Sequence, residues 1–135
     1  MSSQTLVGLD VGEKRIGVSV ADTGIRIAVP FVTVEVDGNE IQAIAEIVIK
    51  ERAEVIVVGY PRNQQGEATA QTDYVEKFTK RLEYLDKKIV FQDESLTSVL
   101  AEEQLKSHKR PYSKGDIDSQ AAAIILQDYV ELNYG

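Results

Sequence analysis

Three acids of this chain, Asp10, Glu94 and Asp118, lie where side chains can work together. Asp10 ends the apolar run 5–10, and Glu94 follows the apolar run Ile89-Val90-Phe91 after Gln92 and Asp93. Both runs read as strands, and open α/β sheets bind ligands beyond the carboxyl ends of parallel strands. A solvated acid at one strand end is ordinary; acids at two such ends are less so. Asp118 joins them through helical phase. At about 100° per residue, Asp118, Ala121, Ala122, Ile125 and Tyr129 share one helical stripe that is mainly apolar and expected to face the sheet. Asp116 falls on the opposite side with Gln120 and Gln127, and suits an N-cap or a charge at the positive end of the helix dipole. An acid on the core-facing stripe is unfavourable unless something cationic neutralises it.

Three converging carboxylates repel one another, and at neutral pH a hard divalent cation relieves that repulsion with the oxygen ligands it prefers. Mg²⁺ or Mn²⁺ is the expected cofactor, with Asp10, Glu94 and Asp118 as both metal ligands and catalytic residues. Two such ions roughly 4 Å apart can activate a water and stabilise the attacking and leaving oxygens of a displacement at phosphorus. The chain has no cysteine and one histidine, His108, so thiolate sites and disulfides are excluded and a zinc site is a poor expectation.

The elements that must position these acids follow from the pattern. The segment 5–10, the alternating run Arg15 to Ala21 and the stretch Arg26 to Val34 read as an antiparallel meander, with Gly12 in the first turn and Gly24 in the second. Glu40 to Arg52 carries Ile41, Ile44, Ala45 and Val48 at helical spacing, with Asn39 as its expected cap. Val55 to Val58 is continuously apolar, as a strand covered on both faces is, and Gly59-Tyr60-Pro61 is expected to end it. A helix over about 69–84, a fifth strand at 89–91 and two helices over about 98–106 and 117–129 complete the order β-β-β-α-β-α-β-α-α. That order indicates an α/β fold with a mixed sheet and helices packed on its faces. At 135 residues, with no internal repeat or linker, one domain spanning 1–135 is expected. No run of about 18 apolar residues occurs, and Met1-Ser2-Ser3-Gln4 leads into a strand rather than a leader, so a soluble, unexported protein is expected.

Fifteen basic residues against 22 acidic ones speak against a bulk nucleic-acid binder, which would carry surplus Lys and Arg. The stretch Lys106 to Lys114, however, holds four cations and no acid, and it leads straight into Asp118. Arg110 and Lys114 are its expected phosphate ligands. Lys14 and Arg15, on the hairpin beside Asp10, and Asn63 and Gly66, in the loop after the fourth strand, are the other candidate substrate contacts. For each there is a plainer structural account: exposed hairpins carry Lys and Arg, and turns favour Gly and Asn. Tyr112 is placed either to stack on a base or to pack locally.

Four motifs, in order, carry a resemblance. Leu9-Asp10-Val11-Gly12-Glu13-Lys14-Arg15-Ile16-Gly17-Val18, Val58-Gly59-Tyr60-Pro61-Arg62-Asn63-Gln64-Gln65-Gly66, Asp93-Glu94-Ser95-Leu96-Thr97 and Lys114-Gly115-Asp116-Ile117-Asp118-Ser119-Gln120-Ala121-Ala122 resemble the YqgF family. These are Holliday-junction-resolvase-like proteins generally regarded as pre-16S ribosomal RNA nucleases. The resemblance implies a ribonuclease H-like fold, with a five-stranded sheet in the order 3-2-1-4-5 and strand 2 antiparallel. It also implies a divalent metal on Asp10, Glu94 and Asp118, bacterial cytoplasm, and trimming of the 5′ end of a ribosomal RNA precursor, with pre-ribosomal particles as an expected partner. Two positions depart from the family pattern. Ser95 stands where an arginine usually follows the motif glutamate, and Leu100 where a glutamate is common.

Two further readings share the fold: a junction resolvase acting on branched DNA, which needs a homodimer where the first reading needs only a monomer, and a catalytically silent RNA-binding assembly factor. A nucleotide-binding domain of the actin and sugar-kinase type is suggested by Asp10-Val11-Gly12 and a hairpin, but such proteins close two domains around the nucleotide. Neither a dinucleotide fingerprint nor a Walker A loop is present.

Overall fold

The structure is a computed structural model that describes residues 3–61, 65, 67–94, 97–108 and 111–135. Strands β1 (Thr5–Val11), β2 (Arg15–Asp22) and β3 (Ala28–Glu35) come first, followed by helix α1 (Glu40–Lys50) and strand β4 (Ala53–Pro61). Helix α2 (Ala70–Lys80), a 3-10 turn (Glu83–Leu85), strand β5 (Lys88–Glu94) and helices α3 (Thr97–Ser107) and α4 (Lys114–Tyr134) complete the order. The sheet runs β3-β2-β1-β4-β5, with β2 antiparallel to both β1 and β3 and with β1, β4 and β5 mutually parallel. This is the mixed sheet that the element order indicates, in the ribonuclease H-like strand order that the family resemblance implies.

Alternation along the strands sorts the core into two layers. Leu9, Ile16, Ile56 and Val58 pack with Ile44 and Val48 of α1 and with Val75 and Phe78 of α2. Leu6, Val55 and Val57 point the other way and pack with Ile125, Leu126, Tyr129 and Val130 of α4. The predicted stripe of α4 holds: Ala121, Ala122, Ile125 and Tyr129 are buried. Small residues let α4 lie close on the sheet, since a Cβ at Gly8 would stand 2.8 Å from that of Leu126, and Ser19 Oγ donates to the Ala122 carbonyl at 2.8 Å.

Several boundaries differ from expectation, each for a local reason. β4 does not stop at Gly59, because its pairing with β5 continues through Gly59, Tyr60 and Pro61 opposite Gln92, Asp93 and Glu94. A proline is tolerated there because it is the strand's last residue. β3 begins at Ala28 rather than Arg26, whose φ of +65° is left-handed and incompatible with a strand. α1 ends at Lys50, and Arg52, at φ +55°, turns the chain into β4. Asn39 does not cap α1 with its side chain; instead the Gly38 N–H donates to the Glu40 carboxylate at 2.7 Å. The helix expected over 69–84 is shorter, with Thr69 as its N-cap and Thr72 completing a capping box before the 3-10 turn. α4 starts three residues early, because Ser113 is its N-cap and Asp116 answers as the box partner at 2.8 Å. Among the described residues no helix is long and apolar enough to cross a membrane.

Candidate active site

The site is built around Asp10, near the end of the central strand. Its register partner on β2 is Gly17, and one step earlier Leu9 lies opposite Val58, which puts Gly59 level with Asp10 on the other side. Leu9 and Val58 face α1 and α2, so the next residue on each strand, Asp10 and Gly59, faces α4. Glu94, paired with Pro61, is the last residue of β5 and lies on this same face. It therefore ends the strand rather than following it in a loop.

The two glycines bracketing Asp10 have separate uses. At Gly17 a Cβ would fall well inside van der Waals distance of the Asp118 carbonyl oxygen. Only glycine lets the first turns of α4 rest on β2 and bring Asp118 over the strand. At Gly59 a Cβ would stand 2.5 Å from Glu94 Oε2 and 2.6 Å from Ile125 Cδ1, so this glycine makes the recess that holds the Glu94 carboxyl. Sequence reasoning took Gly59 for a strand terminator and gave Gly17 no task beyond alternation. Each glycine interrupts a run otherwise rich in Val and Ile, but the acid beside it is brought there by strand register and is not visible in the segment itself.

The electrostatics place the three acids in a row with Asp10 in the middle. Burial first, and the Asp118 charge second, push the Asp10 carboxyl up to about 6. Burial first, and the Asp10 charge second, push Glu94 up to about 8. Glu94 Oε2 is buried with no hydrogen-bond partner. Buried acceptors are nearly always satisfied, so this oxygen faces a polar or charged group that remains to be supplied. Asp118, at the other end of the row, has a partner: Arg15 Nε donates to its Oδ2 at 2.6 Å. Among the described residues no three His, Cys, Asp or Glu side chains close on one metal-sized point. Asp10 feels the Asp118 charge and Glu94 feels the Asp10 charge, but Asp118 is turned to Arg15.

Of the candidate substrate contacts, Arg15 is half-buried against Asp118, whereas Lys14 in the hairpin turn and Lys114 at the start of α4 are exposed. Thr33 Oγ1 donates to the Gly115 carbonyl at 2.5 Å, which holds this end of α4 on the sheet. Asn63, Gly66 and Arg110 lie outside the described residues, as does Ser95. Tyr112 packs locally: its hydroxyl donates to Glu102 of α3 at 2.9 Å. The apolar groove lined by Val20, Ile25, Ile27 and Val29 is at the opposite end of the sheet from the acids, so it is no part of this site.

A sheet in this order, with an acid from β1 and another from β5 facing a helix that carries a third, defines the chain as ribonuclease H-like. Solved structures of that architecture agree: Thermus thermophilus RuvC in complex with a Holliday junction substrate superposes with a TM-score of 0.59 at 14% identity, covering 98% of this chain and 96% of that one. The fowlpox virus resolvase in complex with Holliday junction DNA superposes at 0.55 and 12% identity, covering 95% and 97%.

The chain belongs to the RuvX family, described as Holliday junction resolvase, whose model matches residues 4–132. Curated relatives named "Putative pre-16S rRNA nuclease" include one from Rippkaea orientalis, 40% identical over 97% of this chain and 98% of its own length. Another, from Synechocystis sp., is 42% identical over 93% and 86%. The resemblance carried by the four motifs therefore stands.

Proposed function

We propose that this chain is a divalent-metal-dependent nuclease that hydrolyses RNA phosphodiester bonds, acting in 5′-end maturation of the 16S ribosomal RNA precursor. The observation that carries the reading is the row Asp118, Asp10, Glu94 on one sheet face, with an unpartnered, buried Glu94 Oε2 at one end. Membership of a resolvase family and the nuclease names of relatives supply the reaction class and the RNA substrate.

The donor set fits a hard cation: all three side chains offer oxygen, and two of them have carboxyls raised by burial and mutual charge, the condition a cation relieves. Asp10, Glu94 and Asp118 would hold Mg²⁺ or Mn²⁺, which supplies water activation and charge stabilisation for displacement at phosphorus. Asp10, central and the most enclosed, fixes the middle of the row. Glu94 keeps its proton near neutrality in the metal-free protein and gives it up on cation uptake, because ligands bind deprotonated. Lys14, exposed in the hairpin turn, and Lys114, exposed at the start of α4, together with Arg110, Asn63 and Gly66, are assigned to the nucleic-acid backbone.

The test is cleavage of a 5′-labelled 16S precursor RNA by the protein in Mg²⁺ or Mn²⁺. Cleavage that stops in excess chelator and is abolished by Asp10→Asn is expected. Activity that survives either treatment contradicts the assignment, and RNA binding without cleavage by the wild type indicates the silent assembly factor. The family's description favours one rival, branched DNA. Symmetric cutting of a four-way junction in preference to the RNA would select that reading.

A further inference from the structure

The sequence offers Arg15 to a phosphate, yet in the structure this side chain is already engaged with Asp118. Its Nε stands 2.6 Å from Asp118 Oδ2, with the two side chains 31% and 21% exposed. The contact follows from the fold. Arg15 and Gly17 lie two residues apart on β2 and project to the same face, and Gly17 is the position over which the Asp118 backbone rests. Arg15 opens β2 directly after the hairpin turn in which the Gly12 N–H donates to the Arg15 carbonyl at 3.0 Å. Its backbone is thus anchored at the rim of the acid row, within reach of the one acid that comes from a helix.

The row is consequently neutralised at one end and bare at the other. Arg15 satisfies Asp118, while Glu94 Oε2 has no partner. This is also where convergence of the three acids stops, because no three potential ligands close on a common point among the described residues. A guanidinium and a divalent ion drawn to the same carboxylate oxygen repel each other in a half-buried setting, so each weakens the other's hold on it. The two cations therefore compete for Asp118 Oδ2.

We propose that Arg15 is a positioning residue that acts as a placeholder on Asp118: it holds this carboxylate in the metal-free protein and yields it when a divalent cation enters. The inference rests on the proposed function, in which the three acids hold that cation. It makes Arg15 a determinant of how tightly the cation is taken up. The guanidinium keeps α4 and β2 together at the rim while the site is empty, and uptake of the cation requires it to be displaced. Lys14, one residue earlier and exposed, carries the same charge with none of these contacts among those seen in the structure.

The experiment is a calorimetric titration of Mn²⁺ alone into the whole wild-type chain and into Arg15→Gln, Arg15→Lys and Lys14→Gln, at one pH and ionic strength. Arg15→Gln is expected to bind about tenfold more tightly than wild type, equivalent to about 1.4 kcal/mol. Arg15→Lys, which keeps the charge but loses the planar fork, is expected to fall between the two. Lys14→Gln, an exposed loss of the same charge from a side chain with no seen contact to Asp118, should change affinity by less than about twofold in ordinary salt. Metal-free Arg15→Gln should also melt below wild type and gain more from added Mn²⁺; if it does not fold, Arg15→Lys alone decides the sign. Unchanged or weaker binding in the Arg15 variants, with firm binding by wild type, overturns the placeholder and leaves the metal site standing. Equal tightening in Lys14→Gln overturns it as well, since the cause would be overall charge. No Mn²⁺ binding by any folded variant removes both the placeholder and the nuclease reading on which it rests.

Discussion

The two ends of the acid row are built differently. Glu94 sits at the end of an edge strand, sunk into the recess over Gly59, with one oxygen buried and unpartnered and its carboxyl raised to about 8. Asp118 comes from the second turn of a helix laid over Gly17, and its carboxylate is met by Arg15. Asp10 links them and is itself raised to about 6. The difference teaches that a polyacidic site can be kept folded by two devices at once. Burial raises the Glu94 carboxyl at one end, which favours its neutral form, and a guanidinium meets Asp118 at the other.

The sharpest way to break this picture is at its centre. Asp10→Asn removes the acid at the middle of the row, and cleavage should fall by about 10³-fold or more, as for loss of a central electrostatic group in other active sites. A single-turnover assay in Mn²⁺ measures this, and a loss under tenfold would mean that Asp10 is peripheral.

The glycines separate the two ends next. Gly17→Ala forces a methyl group against backbone of α4, which cannot move without lifting the helix, so thermal stability should drop by about 1–3 kcal/mol or more. Gly59→Ala meets the ends of two side chains, Glu94 and Ile125, which can shift. Its loss should therefore appear in cleavage far more than in melting. Denaturant unfolding of both variants, set beside their activities, checks the contrast.

The pH dependence of metal-free stability tests the proton at the enclosed end. A carboxyl raised in the folded state binds its proton more tightly there than in the unfolded chain, so stability falls as pH rises from the ordinary carboxylate range through the folded value. For Asp10 that window is from 3.8 to about 6, and for Glu94 from 4.5 to about 8. Asp22 and Glu40, held below the ordinary range by backbone N–H donors, act in the opposite sense as the solution becomes acidic. Comparing wild type with Asp10→Asn isolates the site. The variant should melt higher, by a margin that widens between about pH 4 and about pH 6 and then levels off; a margin independent of pH across that window would show that the burial of Asp10 carries no such penalty. The smallest effect is at the cap: Ser113→Ala, which removes the acceptor of the Asp116 N–H, should cost about 1 kcal/mol, read by chemical denaturation.

Much of this molecule could be read from residues alone, and the parts that could not share a cause. The apolar run of β1, the period-2 alternation of β2 and the stripe of α4 are local patterns. They yielded the element order and the choice of Asp118 over Asp116, which the structure uses for capping instead. Element ends were harder. β4 and β5 extend past Gly59 and Phe91 because each strand pairs with the other, a relation absent from either segment taken singly. The same holds within the site. Asp10 and Glu94 are visible as acids at strand ends, whereas the Arg15 to Asp118 contact spans 103 positions and depends on Gly17 admitting a helix. The task of Gly59 depends likewise on what β5 brings beside it.

The central claim is that Asp10, Glu94 and Asp118 hold a common cation. Anomalous diffraction from crystals of the protein soaked in Mn²⁺ tests it most directly. A peak is expected on the α4 face of the sheet within ligand distance of Asp10 and Glu94 Oε2, with Arg15 swung away from Asp118. Manganese density found only elsewhere on the surface, with Glu94 Oε2 still bare, would contradict it.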